Sequence, residues 1–273
     1  SWQKDFVAVI GSSTNRHALL DASRCWRAGM RTIIATNASQ AEADRLTRDS
    51  KEHNERYVHV EDEQREDSSQ RAHAKRPGDV RAALLPSLAG KLLREEKYEW
   101  QWMLYADDDT MFLQPGVHTL LAELDPAVPL AISDNIWLAR QHPNLAGPRC
   151  LPCKPGQAPL QAPSPDYYVP PMGCPHCYPD LACDYYNKRN GKCVYSGAHG
   201  GAGVIISRGL MDRMPHQDMV DCVEGEFGCS GGDCLLSRCL WRKFNVTYTD
   251  PGYTVAHNSS RYVVFDNPRA KEI

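Results

Sequence analysis

Short apolar runs alternate with helix-like stretches through the first half of the chain, and this rhythm constrains the fold more than any other feature. FVAVIG (6–11), RTIIAT (31–36), YVHV (57–60), a run over 101–106, a second over 110–113, and LAISDN (130–135) read as buried strands. Between them, residues 16–28 read as a helix stopped by Gly29, 39–50 as a polar helix, 79–97 as a longer one, and Pro115 opens another to about Leu124. Strands separated by helices are joined by crossovers and run parallel, so the pattern predicts an α/β protein with a three-layer, mostly parallel sheet.

The rhythm breaks over 141–198, a segment rich in Pro, Tyr and Cys with no sustained period. A structureless stretch of this length inside a compact domain is usually functional or stapled. Residues 61–78 are highly charged and read as a solvated loop. A strand resumes at GGAGVIIS (200–207), followed by a helix to about Met214. SGGDCLLSRCLWRKF (230–244) reads as a further helix with Asp233 in its first turn, and VTYTDP and an extended stretch follow. The economical reading is one domain, 1–273, with a first half to about 140, an insertion over about 141–198 and a second half over about 199–273.

A net charge of −3 leaves no basic footprint for nucleic acid. No window approaches ~18 consecutive apolar residues, and the opening residues do not read as a signal peptide. The chain opens almost directly in a strand, which predicts a lumenal fragment trimmed from something longer, such as a membrane-anchored protein. Ten of the eleven cysteines lie at or after Cys150, and Asn-x-Ser/Thr sequons occur at Asn37, Asn245 and Asn258. Together these point to the secretory pathway, where disulfides persist. The odd count leaves at least one thiol unpaired or bonded to another chain, and Cys25, inside a helical pattern, is expected to be a buried free thiol. Cys150, Cys153, Cys174 and Cys177 have the spacing of a zinc ribbon, but with Cys183, Cys193, Cys222, Cys229, Cys234 and Cys239 close behind, disulfides are the favoured fate in an oxidising lumen. Tyr167, Tyr168, Tyr178, Tyr185 and Tyr186 would stack on sugar faces or fill a small stapled core.

The stretch WMLYADDDTMFL (102–113) places Asp107, Asp108 and Asp109 between two apolar runs. In open α/β sheets ligands sit at the carboxyl ends of strands, where these residues fall. Alternate carboxylates, Asp107 and Asp109, can share a hard divalent cation, Mn2+ or Mg2+, leaving positions open for phosphate oxygens. The competing reading is a helix cap or solvated turn. Gly200-Gly201-Ala202-Gly203 carries almost no side chains, which suits a substrate lying against the backbone or simply tight strand packing. Ser13 and Thr14, after the first strand, read as ligand contacts at a strand end or as caps of the next helix. Asp134 and Asn135, at another strand end, point toward the same pole.

YADDDTMFL, GGAGVIIS, GGDCLLSRCLW and the late His of GYTVAHNSS occur in the same order as in the Fringe-type β-1,3-glycosyltransferases, which include the core-1 galactosyltransferases and plant and fungal relatives. The resemblance covers most of the chain but is sharp only in these motifs. It implies a GT-A-type, Rossmann-like fold in the Golgi lumen and an inverting, metal-dependent transfer from a UDP-sugar to a hydroxyl of a glycan or glycoprotein, forming a β-1,3 linkage. It further implies that Asp109 is a direct metal ligand, with His257 as second protein ligand. Asp107 and Asp108 would contact the ribose side of the donor or metal-bound water. Gly200, Gly201, Ala202 and Gly203 would form a strand lining the site, Asp134 would touch the acceptor, and Asp233 would be the catalytic base. An Asp in a first helical turn is also what the helix dipole favours, and Glu224 and Glu226 are nearby alternatives. The family often carries Pro-Asp-Asp or Glu-Asp-Val where this chain has Gly231-Gly232-Asp233. Galactose, glucose and N-acetylglucosamine donors all fit these motifs. Two other functions compete. A metal-dependent nucleotidyl or phosphoryl transferase would need a Lys/Arg phosphate clamp, and none stands out near these motifs. A lectin-like domain would bind sugar without turnover.

Overall fold

The first apolar runs form the strands that their composition predicts. In the computed structural model, which describes residues 2–61, 78–122, 124–133, 136–138, 196–198, 200–225, 231–244, 246, 248–249 and 264–266, the elements in chain order are β1 (Phe6–Gly11), α1 (His17–Ala22), β2 (Arg31–Thr36), α2 (Gln40–Asp49), β3 (Glu55–His59), α3 (Asp79–Glu95), β4 (Trp102–Asp107), β5 (Thr110–Phe112) and α4 (Gln114–Leu121). Then come β6 (Ala131–Ile132), β7 (Ile136–Leu138), β8 (Ser196–Ala198), β9 (Val204–Ser207), α5 (Arg208–Asp212), α6 (His216–Gly225), α7 (Gly232–Phe244), β10 (Tyr248–Thr249) and β11 (Val264–Asp266).

A 7-stranded sheet has the order β10-β6-β9-β4-β1-β2-β3. Its neighbours pair in parallel except at β9, which runs antiparallel to both β4 and β6. This is a mixed, mostly parallel sheet. Strand residues alternate between its faces with the period of two that a pleat imposes. Val7, Val9, Ile33, Met103, Tyr105 and Ile206 pack with α3, α6 and α7 on one face. Phe6, Ala8, Ile10, Ile34, Leu104 and Ile205 pack with Leu20, Trp26, Val117 and Leu121 on the other. Apolar residues on both faces explain why the runs look continuous in sequence: neither face meets water. Ser39 caps α2 by accepting the N–H of Glu42 at 3.3 Å, the S-x-x-E arrangement that satisfies an otherwise orphaned donor.

Four expectations need correction. The helix over 16–28 is broken: a 3-10 turn at Thr14–Arg16 leads into α1, and a second 3-10 turn spans Arg24–Arg27. Ser23 takes part in the break, since its hydroxyl donates to the carbonyl of Leu20 at 3.2 Å and accepts from Arg27 Nη1 at 2.9 Å, offering the backbone an alternative to a continuous helix. The tighter turn sends Trp26 and Arg27 inward and leaves Cys25 unpaired but exposed, not buried. The glycine run is not a strand either. Gly200–Ala202 is a 3-10 turn and Gly203 has φ +75°, so the strand begins only at Val204. Among the described residues of the strand expected over 130–135, only Ala131–Ile132 are strand.

Asp134, Asn135, His257, Glu226, the sequons at Asn245 and Asn258, residues 62–77 of the stretch 61–78 expected to be a loop, Cys150, Cys153, Cys174, Cys177, Cys183, Cys193 and Cys229, and the five tyrosines between 167 and 186 lie outside the described residues. Cys222 and Cys239 form a disulfide between α6 and α7, and Cys234 is also disulfide-bonded. Among the described residues no helix is long and apolar enough to cross a membrane.

Candidate active site

The sheet order creates one crevice. The chain steps outward from β1 to β2 to β3, then returns to lay β4 against the opposite edge of β1, with Gly11 level with Asp107. Loops leave β1 and β4 in opposite directions at such a switch point and leave a gap at the carboxyl ends of the strands. Because β9 is antiparallel to β4, with Val204 opposite Tyr105, the beginning of β9 lies at that same pole. The Gly200–Ala202 turn is thereby brought beside Asp107. The first turns of α3 and α7 close the rim. The resulting cavity has a volume of about 470 Å3 and takes side chains or backbone from Ser12, Arg16, Arg81, the three aspartates, Gly200 and Asp233.

Asp108 and Asp109 form the turn between β4 and β5, but not a solvated one: Asp108 is 3% exposed. Its Oδ2 accepts from the Ser12 hydroxyl at 2.7 Å and from Arg16 Nε at 3.1 Å. Arg16 Nη2 then bridges Asp108 Oδ1 at 2.5 Å and Asp109 Oδ2 at 2.9 Å. The charge that holds two of the three aspartates is therefore an arginine from the loop after β1.

Asp107 differs. Among the described residues it has no hydrogen-bond or ion-pair partner, although it is only partly exposed at the cavity floor. Burial, followed by the nearby charges of Asp109, Asp108 and Asp233, pushes its carboxyl up to about 7. Asp233 lies across from it. A Cβ placed on Gly200 would stand 3.3 Å from Asp107 Oδ2 and 3.4 Å from Asp233 Cβ, so the bare glycine lies between the two acids. Asp233 Oδ2 accepts the N–H of Gly200 at 3.2 Å and its Oδ1 accepts the N–H of Cys234 at 2.7 Å. Upstream, Asp79 at the start of α3 accepts the N–H of Gly231 at 3.0 Å, and Gly231 has φ +108°, a conformation open to glycine. That turn sets the direction in which α7 presents Asp233.

A hard divalent cation fits this chemistry in one respect. Asp107 is a poorly solvated carboxyl with no ion-pair partner among the described residues, set among other oxygen donors. Asp109 has its second oxygen uncommitted in the described structure. Among the described residues, however, no group of three or more His, Cys, Asp or Glu side chains closes around one point.

Of the residues singled out from sequence, Asp107, Asp108, Asp109, Gly200, Gly201, Asp233 and Ser13 line the cavity. Thr14 is not part of the lining; its backbone N–H donates to the side-chain oxygen of Asn37 at 3.0 Å. Ala202 is buried, and Gly203 packs against Phe112 and Thr110. Glu224 is exposed on α6 away from the lining. Sequence reasoning missed Arg16, Asp79 and Arg81, all of which line the cavity, and the two arginines correct the view that no cationic clamp lies near these motifs. The one signal for Arg16 was charge balance: a cation in the loop after the first strand, at the pole where the acidic triplet ends.

Fold and site define an α/β protein with an acidic, glycine-lined cavity at the switch point of a mixed, mostly parallel sheet. The chain matches no known family model, and no curated protein matches it. The likeness to Fringe-type enzymes rests on the motifs.

Proposed function

We propose that the chain is an inverting, metal-dependent glycosyltransferase of GT-A type that moves a sugar from a UDP-sugar to a hydroxyl of a glycan or glycoprotein, working in the secretory pathway. The observation that carries the reading is that Asp107–Asp109, Gly200–Gly201, Asp233 and the Ser12–Ser13 loop, distant in sequence, line one cavity of about 470 Å3, in the range of small-molecule sites. Asp107 and Asp109, with His257, would hold the cation, which when bound supplies Lewis-acid stabilisation of the charge on the departing diphosphate. The loop after β1 faces the nucleotide. Gly200 and Gly201 let the sugar lie against the backbone. Asp233, aimed by two backbone N–H groups, accepts the proton of the acceptor hydroxyl as that oxygen attacks the anomeric carbon. The bond from that carbon to the diphosphate breaks on the opposite face, its electrons leave with UDP, and the configuration inverts.

The test is UDP release across a panel of UDP-sugars, with glycan acceptors, with and without Mn2+. Manganese-dependent UDP release from one donor, abolished in Asp109→Ala, is the expected result. Sugar binding with no UDP release from any donor would leave a lectin-like domain. The presence of Arg16 and Arg81 at the cavity favours a second reading, a nucleotidyl or phosphoryl transferase. It predicts release of sugar 1-phosphate or UMP, in place of UDP, in the same assay.

A further inference from the structure

Arg16 occupies an unusual position for a site of this kind, because it sits on the carboxylates that a cation would need. Among the described residues, Asp109 has Arg16 as its one partner, through Nη2 at 2.9 Å. Asp108 has more: the Arg16 Nε at 3.1 Å, the Arg16 Nη2 at 2.5 Å and the Ser12 hydroxyl at 2.7 Å. The guanidinium is therefore anchored through Nε to a buried carboxylate and joined through its outer nitrogen to a 26% exposed one. The Arg16 side chain is 43% exposed and faces the cavity. Turning Nη2 away breaks its ion pairs with Asp109 and with Asp108 Oδ1 and leaves the Nε bond to Asp108 Oδ2 in place. A planar guanidinium is well shaped to take two phosphate oxygens at once.

We propose that Arg16 is an exchangeable counter-charge, which neutralises Asp109 while the cavity is empty and turns its outer nitrogens to the donor's diphosphate when a divalent cation takes Asp109. The inference rests on the reading of the cavity as a nucleoside-diphosphate-sugar site. No covalent bond is made or broken; one cation replaces another on Asp109, and the released guanidinium meets the diphosphate. Arg16 and the metal therefore compete for the same oxygen, so the metal alone binds weakly. Arg16 and the diphosphate attract, so the nucleotide relieves that competition.

Calorimetry on the full chain tests this with two probes used separately, Mn2+ alone and UDP alone without metal. In Arg16→Gln, Mn2+ is expected to bind at least about tenfold tighter than in the wild type, since a unit positive charge within 4 Å of the ligand oxygen is removed. UDP alone is expected to bind about tenfold more weakly, through the loss of a charged phosphate contact. Mn2+ affinity that is unchanged or lower in Arg16→Gln overturns the competition, and unchanged UDP affinity overturns the contact with the diphosphate. Arg16→Lys keeps a cation able to sit on Asp108 and is the variant to measure if Arg16→Gln does not fold; both shifts are expected in the same direction and smaller. Mn2+ binding to neither wild type nor variant removes the metal reading of the site and this inference with it. Equal Mn2+ binding to both removes the inference alone.

Discussion

Asp233 is held by two backbone N–H groups, and Gly200 donates one of them while standing between Asp233 and Asp107. Two substitutions separate chemistry from geometry. Asp233→Asn keeps the shape but cannot take a proton, so turnover should fall by about 10²-fold or more with donor affinity retained. A kcat near that of the wild type would remove Asp233 as the base. Gly200→Ala inserts a methyl group at 3.3–3.4 Å from both acids, tighter than ordinary contact, at a backbone angle that alanine accepts. It should lower kcat by about tenfold through displaced acids, because small misplacements at a reacting centre cost much of the rate. Stability should change by less than ~1–3 kcal/mol, the usual cost of one added methylene, and thermal unfolding beside kinetics checks both.

At the scale of elements, the site depends on how α3 and α7 meet. A Cβ on Gly232 would come within 2.4 Å of Ala82 Cβ and 2.8 Å of the Asp79 carbonyl oxygen, so the two helices touch through a bare backbone. α7 is further tied to α6 by the Cys222–Cys239 disulfide, whose partners have a sequence separation of 17. A cross-link over a loop of that length contributes about 3 kcal/mol in the chain-entropy account. Cys222→Ala with Cys239→Ala should therefore lower unfolding stability by ~2–4 kcal/mol, read from urea titrations. The strand motif at 102–107 and the helix at 232–244 were both legible in sequence, the first from its unbroken apolar run and the second from its length and acidic first turn. The glycine turn was misjudged as strand because glycine carries no side chain from which a period can be read.

For the molecule as a whole, the far edge of the sheet is secured by charge. Glu55 at the start of β3 is 2% exposed and pairs with Arg27 at 2.8 Å and Arg24 at 3.0 Å. Burial alone would raise the Glu55 carboxyl; hydrogen bonds from Arg24 and the charge of Arg27 outweigh it and hold the carboxyl below its usual range. A carboxylate lowered by folding contributes stability above its unfolded value of about 4.3, and that contribution is lost as pH falls through the lower folded value. Unfolding free energy measured from pH 7 downward should thus drop on the acid limb below about pH 4. Glu55→Gln should flatten this group's share of that limb and, by leaving Arg27 buried without a counter-charge, cost ~3–5 kcal/mol at neutral pH. An unchanged acid limb in the variant would show that Glu55 is not the group responsible.

The sequence by itself determined the layers: apolar runs with no polar face must be covered on both sides, and helices of matching length lie between them to do it. It also marked Asp107–Asp109, Gly200 and Asp233, because acids at a strand end and glycines before a strand are local patterns. Tertiary structure decided which charges meet. Arg16 reaches Asp108 across 92 residues because β4 inserts beside β1, and Asp107, turned by its pleat toward Gly200, has no partner among the described residues. Pairing between side chains depends on strand order and on the direction of β9, and neither is written in the period or composition of any one segment.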